Sequence, residues 1–313
     1  MLGLLKRHAA AKGRIGIALG EDRLAVAVVR RDTDGTPRLE RCESVPVPAR
    51  ERAEAMTAAL RELGLPPMPV SGVLRAQDYQ LALVESPDVP PAELRAAMRW
   101  RLRDSIDFRV EDAVIDVFDI PPQSRGSQGR MLYAVAARRA AIDQHSAALA
   151  SLGGFDVIDV PELCLRNLAG LLPAANAGVA MLHLGESSAS VVLVRGATFY
   201  FARQMSLQQS LNAALEAGAG GRVNGESVML ELQRSLDYYE RHFDQPPITR
   251  ITLAPAGPRA QTLAADLSQE SSFEVGVLDL NELLPCARPI EPEEQSACLL
   301  AVGAALRREH RSL

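Results

Sequence analysis

The chain has 313 residues, 47% of them apolar, and a formal net charge of −5. That length and apolar share suffice for two domains with their own cores, while the acidic balance excludes a protein that grips nucleic-acid phosphates through a basic surface. Lys6 and Lys12 are the only lysines, which excludes P-loop and catalytic-lysine chemistry from the body of the chain.

Residues 1–14 carry Leu2, Leu4 and Leu5 beside Lys6, Arg7, Lys12 and Arg14. They read as a lead-in to the first strand, with a weak interfacial helix as the alternative. The segment is too poor in apolar residues for a secretory signal and no run of eighteen apolar residues follows, so the expected location is the cytoplasm.

From Ile17 the chain repeats itself. Ile17-Ala18-Leu19-Gly20-Glu21 returns as Leu182-His183-Leu184-Gly185-Glu186, and the offset holds through Val26/Val191 and Val28/Leu193. Each copy predicts a strand, a tight glycine turn, a second strand (Leu24–Val29; Ser190–Val194), and a third strand after Gly35 or Gly196, a β-meander made twice. Met131–Arg138, a helix over 140–152 and Phe155–Val160 predict a strand–helix–strand unit matching Ile248–Ala254, a helix over 258–269 and Phe273–Leu278. Such units supply parallel strands to a covered sheet. Between meander and unit, Val73–Val84 predicts a strand pair, Pro90–Ile106 a helix and Ala113–Ile120 a strand, which makes a small inserted α+β subdomain, followed by an exposed loop over 121–129. The expected fold is therefore a duplicated two-lobe α/β protein. Lobe I spans 15–172 with its insertion at about 72–130, and lobe II spans 173–313. The hinge is expected over Leu172–Gly178, and a closing helix over 295–308 has one apolar face suited to crossing back to lobe I.

Cys42, Cys164, Cys286 and Cys298 form no CxxC pair, and His8, His145, His183, His242 and His310 are scattered. The cysteines read as small buried hydrophobes, and no metal held by side chains is expected.

Glu231-Leu232-Gln233-Arg234-Ser235-Leu236-Asp237-Tyr238-Tyr239 resembles the helix signature of PilM-type pilus assembly proteins. Glu85-Ser86-Pro87 through Ile106-Asp107-Phe108, with Arg99-Trp100-Arg101, resembles that family's inserted subdomain, and Ala301–Arg307 its closing helix. The likeness runs from about Ile15 to Arg308, with a particular likeness to the MshI branch of MSHA-type type IV pili. It implies the actin-like fold of the sugar kinase, heat-shock chaperone and actin superfamily, with an FtsA-like insertion. It also implies a place at the inner face of the cytoplasmic membrane, where the chain would hold the cytoplasmic tail of a PilN-like inner-membrane protein. The protein would then be membrane-associated through its partners and would not be an enzyme.

An ATP cleft of that superfamily cradles phosphates on glycine turns and positions magnesium through carboxylates. The candidate turns are Gly20, Glu21, Asp22 and Arg23, then Gly185, Glu186, Ser187 and Ser188, and, where the family has an adenosine turn, Ala256 and Gly257. Resemblance adds Arg234 to the adenine side. The family's acidic residues fall on Ala18 and His183, its second-strand lysine on Ala25, and a later Gly-Gly on Gln208-Gln209. Magnesium loses its anchors, and Glu21 and Glu186 set negative charge at the mouths of the turns. The cleft is expected to be degenerate, with no catalytic residue and no assured cofactor, although ATP remains possible, with magnesium through Asp22 or Glu186. The same glycines serve equally as hairpin glycines. For the partner, Arg99 and Trp100 offer a docking face on the inserted helix, and the resemblance adds Tyr79, Leu81 and Leu83. The alternative for Trp100 is packing onto its own sheet.

Overall fold

A computed structural model describes residues 13–20, 22–47, 52–124, 129–152, 155–185, 188–206, 225–255 and 257–308. Along the first half run β1 (Gly13–Leu19), β2 (Arg23–Arg31), β3 (Pro37–Pro46), α1 (Arg52–Glu62), β4 (Val70–Val73), β5 (Tyr79–Glu85), α2 (Leu94–Leu102), β6 (Ala113–Asp119), β7 (Met131–Arg138), α3 (Arg139–Leu149), β8 (Val157–Asp159) and α4 (Pro161–Ala169). The second half adds β9 (Val179–Leu184), β10 (Ser188–Arg195), β11 (Thr198–Ser206), α5 (Gly225–His242), β12 (Arg250–Ala254), α6 (Pro258–Glu270), β13 (Glu274–Val277), the single turn α7 (Leu280–Leu283) and α8 (Pro292–Ala305).

Two five-stranded sheets have one topology, β3-β2-β1-β4-β8 and β11-β10-β9-β12-β13. In each, an antiparallel meander is extended by two parallel strands. The duplication reaches down to a defect, since the ladder slips between Val28 and Val29 in one copy and between Leu193 and Val194 in the other. A bulge sharpens strand twist, so both meanders curl at the same place.

Met131–Arg138 is not the parallel strand expected from its sequence. It is the central strand of a third, antiparallel sheet, β5-β7-β6. The first-lobe counterpart of Arg250–Ala254 is Val70–Val73. Four residues containing Ser71 and Gly72 make too weak an apolar run to stand apart from the strand that follows. Met131–Arg138 misleads because it is apolar on both faces, as a parallel core strand would be. Leu132, Ala134 and Ala136 pack with Met98 and Leu102 of α2, while Tyr133 joins the main core.

The first sheet separates two cores. Ile15, Ile17 and Leu19 face Met56 and Leu60 of α1 and Leu149 of α3, whereas Ala18, Ala25, Ala27 and Val29 face Cys298, Ala301, Val302 and Ala305 of α8. Small strand residues let α8 come close. A Cβ on Gly16 would run into the Ala301 carbonyl, and one on Gly303 would lie 2.5 Å from the Cys164 carbonyl. Consequently α8 is buried along most of its length, which corrects the one-faced helix expected from sequence, as a helix wrapped on several sides must be apolar nearly all round. Just before it, the chain pairs with β3, where the Leu39 amide donates to Pro285 at 2.9 Å and the Ala287 amide to Leu39 at 2.9 Å. The 172–178 segment is fastened rather than free-standing. The Gly196 amide donates to the Ala175 carbonyl at 2.7 Å and Arg195 Nη1 to that of Asn176 at 3.1 Å.

Candidate functional site

The two glycine turns close the first hairpin of each meander. At the first, the Gly20 amide donates to the Arg23 carbonyl at 2.8 Å and the Val47 amide to that of Asp22 at 2.7 Å. The Arg23 guanidinium is spent on β3, donating to Ser44 Oγ at 2.8 and 3.1 Å and to the Ser44 carbonyl at 3.2 Å. Asp22 is exposed. At the second turn β9 ends at Leu184, Gly185 follows, and Ser188 opens β10. Glu21, Glu186, Ser187, Ala256 and Gln208-Gln209 lie outside the described residues.

Strand register gives the turns equivalent surroundings. Ala18 sits beside Ala25 and Val73, and His183 beside Ser190 and Ala254. Hence neither strand brings a charged side chain to these neighbouring positions on the first sheet, and the second brings an imidazole that burial pushes down to about 4. A neutral imidazole neither neutralises a phosphate nor anchors magnesium. Among the described residues outside its chain neighbours, nothing lies within 4 Å of where a Cβ on Gly257 would sit; its φ is +149° and it precedes Pro258 at the start of α6.

Arg234 bonds to Glu231, which also takes Arg203 Nη1 at 2.9 Å, and these hydrogen bonds, that of Arg203 foremost, hold the Glu231 carboxyl below its usual range. Tyr238 stacks on Phe201 and His242, and its hydroxyl accepts from Gln123 Nε2 at 2.7 Å. Tyr239 is fully buried against Tyr200 and Phe243. Both tyrosines thus cover the second sheet.

The five docking candidates separate. Tyr79 is buried and donates to Glu162 Oε2 at 2.6 Å. Leu81 and Leu83 share its side of β5 and pack partly buried against the main core. Arg99 is committed to the carbonyls of Val110 (3.0 Å) and Ala113 (3.4 Å). Trp100 is 75% exposed, opposite the buried Met98 and Leu102 on α2, so it does not pack onto its own sheet.

What sequence reasoning missed is how tightly the inserted sheet grips lobe II. Gln204 of β11 donates to Tyr79 Oη at 3.0 Å and to Glu162 Oε1 at 2.7 Å, joining the buried side chains of β5 and α4 to the second sheet. Burial raises the Glu162 carboxyl above its ordinary range. The Tyr133 ring stacks on Phe118 and meets Phe199 edge-on, and the Ser124 amide reaches the His242 carbonyl at 2.8 Å. No local pattern announces such contacts, because their partners come from distant segments.

Among the described residues no group of three or more His, Cys, Asp or Glu is placed to hold a metal, and no helix is long and apolar enough to cross a membrane.

Comparison with solved structures defines the class as the actin-like α/β fold. A Bacteroides thetaiotaomicron protein with an actin-like ATPase fold and unknown function matches with TM-score 0.53 and 9% identity, over 90% of this chain and 96% of that one. The PilM-PilN type IV pilus biogenesis complex matches with TM-score 0.70 and 22% identity, over 95% of this chain and 98% of that one. No family model matches. A curated UDP-N-acetylmuramoyl-L-alanine--L-glutamate ligase from Xanthomonas axonopodis pv. citri (strain 306) is 25% identical over 237 residues, 75% of this chain but 45% of that protein, so this chain spans under half of that relative's length.

Proposed function

We propose that this chain is a scaffold of a type IV pilus assembly platform of the MSHA-like, PilM/MshI kind, working at the inner face of the cytoplasmic membrane. Its partner is the cytoplasmic tail of a PilN-like inner-membrane protein. The observation that carries this reading is the match to the PilM-PilN complex, which takes in nearly the whole of both chains, insertion included. The cleft supports the non-enzymatic half of the reading. Ala18, Ala25 and His183 replace the groups that would hold magnesium and phosphate, and the bonds from Tyr79, Tyr133 and Gln123 to lobe II tie together lobes that a nucleotide switch must move. A ligase reading has no phosphate-loop lysine to draw on beyond Lys12.

The tail is proposed to dock on the outer face of the inserted helix at Trp100, since Leu81 and Leu83 face the main core from the other side of the inserted sheet. Because Trp100 is the only tryptophan, its emission reports docking directly. Titration with a synthetic PilN-like tail peptide is expected to shift that emission saturably, and Trp100→Ala to weaken binding measured by calorimetry. No shift and no heat would sink the partner assignment. The space beside Gly257 among the described residues favours a second reading, an ATP-binding switch of the same fold, with Arg234, Ala256 and Gly257 on the adenosine side and Gly20, Gly185 and Ser188 under the phosphates. Tight Mg·ATP binding would select it.

A further inference from the structure

The inserted sheet lies on lobe II with a core of its own, in which Met98 and Leu102 of α2 meet Ile115, Val117, Leu132 and Ala134. The chain enters it from lobe I after β4 and leaves it where β7 runs into α3. What it covers is the edge of the second sheet, since β11 is the last strand there. In the first sheet the chain itself pairs with the corresponding edge strand, at Leu39. In the second, both backbone groups of Ala202 are taken by one side chain, the Tyr133 hydroxyl.

Beside this contact Glu162 of α4 is fully buried. Its two oxygens meet neutral donors, the Tyr79 hydroxyl from the inserted sheet at 2.6 Å and Gln204 Nε2 from lobe II at 2.7 Å. The titratable groups around it are Tyr79, Tyr133, Asp159 and Cys164, which bring no positive charge. The arginines of the neighbourhood bond to other groups, Arg307 to Asp159, Arg203 to Glu231 and Arg166 to Asn167. A carboxylate so placed would lose its hydration without gaining a cation, and burial accordingly raises the Glu162 carboxyl. Parting the inserted sheet from β11 separates Tyr79 from Gln204 and lets water reach it.

We propose that the inserted sheet is a lid on the edge of β11, hinged where it joins lobe I, and that it lifts more readily as Glu162 gives up its proton to water. Closed, the carboxyl favours its proton; open, it returns to its ordinary value of 4.5. Closure is therefore favoured most below pH 4.5, and that advantage is lost as pH rises through the closed-state value. Lifting bares the amide and carbonyl of Ala202. The lid does not depend on which partner the chain holds.

Amide exchange of the full-length protein, read residue by residue by NMR and corrected for intrinsic rates, tests it. The Ala202 amide reports the lid because its acceptor is Tyr133, whereas the central strands at Met181 of β9 and Ala134 of β7 report the two bodies that stay whole. Ala202 is expected to exchange at least about tenfold faster than either, as a sub-global opening does. Its protection is expected to fall between pH 4.5 and 7.5, by at most about tenfold per pH unit for one proton released. Glu162→Gln, neutral and of the same shape, is expected to flatten that dependence. Exchange of Ala202 in step with Met181, protection that does not fall with pH, or a fall of equal size in Glu162→Gln overturns the proposal. The first two outcomes need only the native chain, so a variant that folds poorly leaves the test intact.

Discussion

The Tyr133 hydroxyl makes two bonds to one residue of the other lobe, donating to the Ala202 carbonyl at 3.2 Å and accepting from the Ala202 amide at 2.9 Å. Tyr133 is the central strand's contribution from the inserted sheet, and Ala202 lies on β11 of lobe II. Burial raises the phenol above its ordinary range, so it is neutral at neutral pH and can both donate and accept. Tyr133→Phe keeps the stack with Phe118 and Phe199 but orphans a buried amide. The expected cost is about 1–3 kcal/mol, read as a lower urea midpoint with an unchanged slope.

Glu162 should make stability fall as pH rises. Its folded pKa lies above the unfolded value of 4.5, chiefly through burial, so the native state favours the protonated form. Its contribution is whole below 4.5 and is lost as pH climbs through the folded pKa. Glu162→Gln removes that component, since Gln204 can turn its amide to suit. On going from pH 4.5 to 7.5 the urea midpoint should therefore fall less, or rise more, for the variant than for the native chain.

His183 acts in the opposite direction. With the folded pKa pushed from 6.5 to about 4 by burial, its stabilising contribution is present above 6.5 and is lost as pH falls toward 4. Its C2 proton should titrate near pH 4 by NMR, and His183→Asn should flatten that part of the acid limb.

The closing helix is held by the absence of side chains. Gly16→Ala places a methyl group against the Ala301 carbonyl and is expected to cost about 1–3 kcal/mol by overpacking. Gly35→Ala, which meets nothing within 4 Å but carries φ +86°, supplies a comparison in which only backbone strain acts. Thermal melts of the two variants separate the effects.

Cys42, Cys164 and Cys298 are buried and Cys286 is partly so; burial raises the thiols of Cys164 and Cys286, and the neighbouring Cys42 first and then burial raise that of Cys298. A thiol reagent should label Cys286 slowly and alone in the native protein, and all four in denaturant, as mass spectrometry would show.

The duplicated meander was legible because its signals are local: an apolar alternation, a glycine turn, and the same pair again one lobe later. The positions of Ala18 and His183 on the strands that lead into the turns were legible too. Sheet membership was not, because Met131–Arg138 is apolar on both faces whether it lies in a parallel or an antiparallel sheet, and only its partners decide. The same holds for Tyr79, whose hydroxyl pattern in sequence is silent about Glu162 and Gln204. Cys42 of β3 and Cys298 of α8, far apart along the chain, are buried in the same core. Trp100 was legible as a residue with two fates, and its exposure removes one of them, packing onto its own sheet.

The measurement that bears most directly on the scaffold is calorimetric titration of the purified protein with Mg·ATP, run beside the PilN-like tail peptide. A degenerate cleft in a tied pair of lobes gives no heat and no thermal stabilisation with millimolar Mg·ATP, while the peptide binds. Tight Mg·ATP binding would contradict it, and would mean that Ala18 and His183 do not disable the cleft and that the bonds from Tyr79, Tyr133 and Gln123 yield to nucleotide.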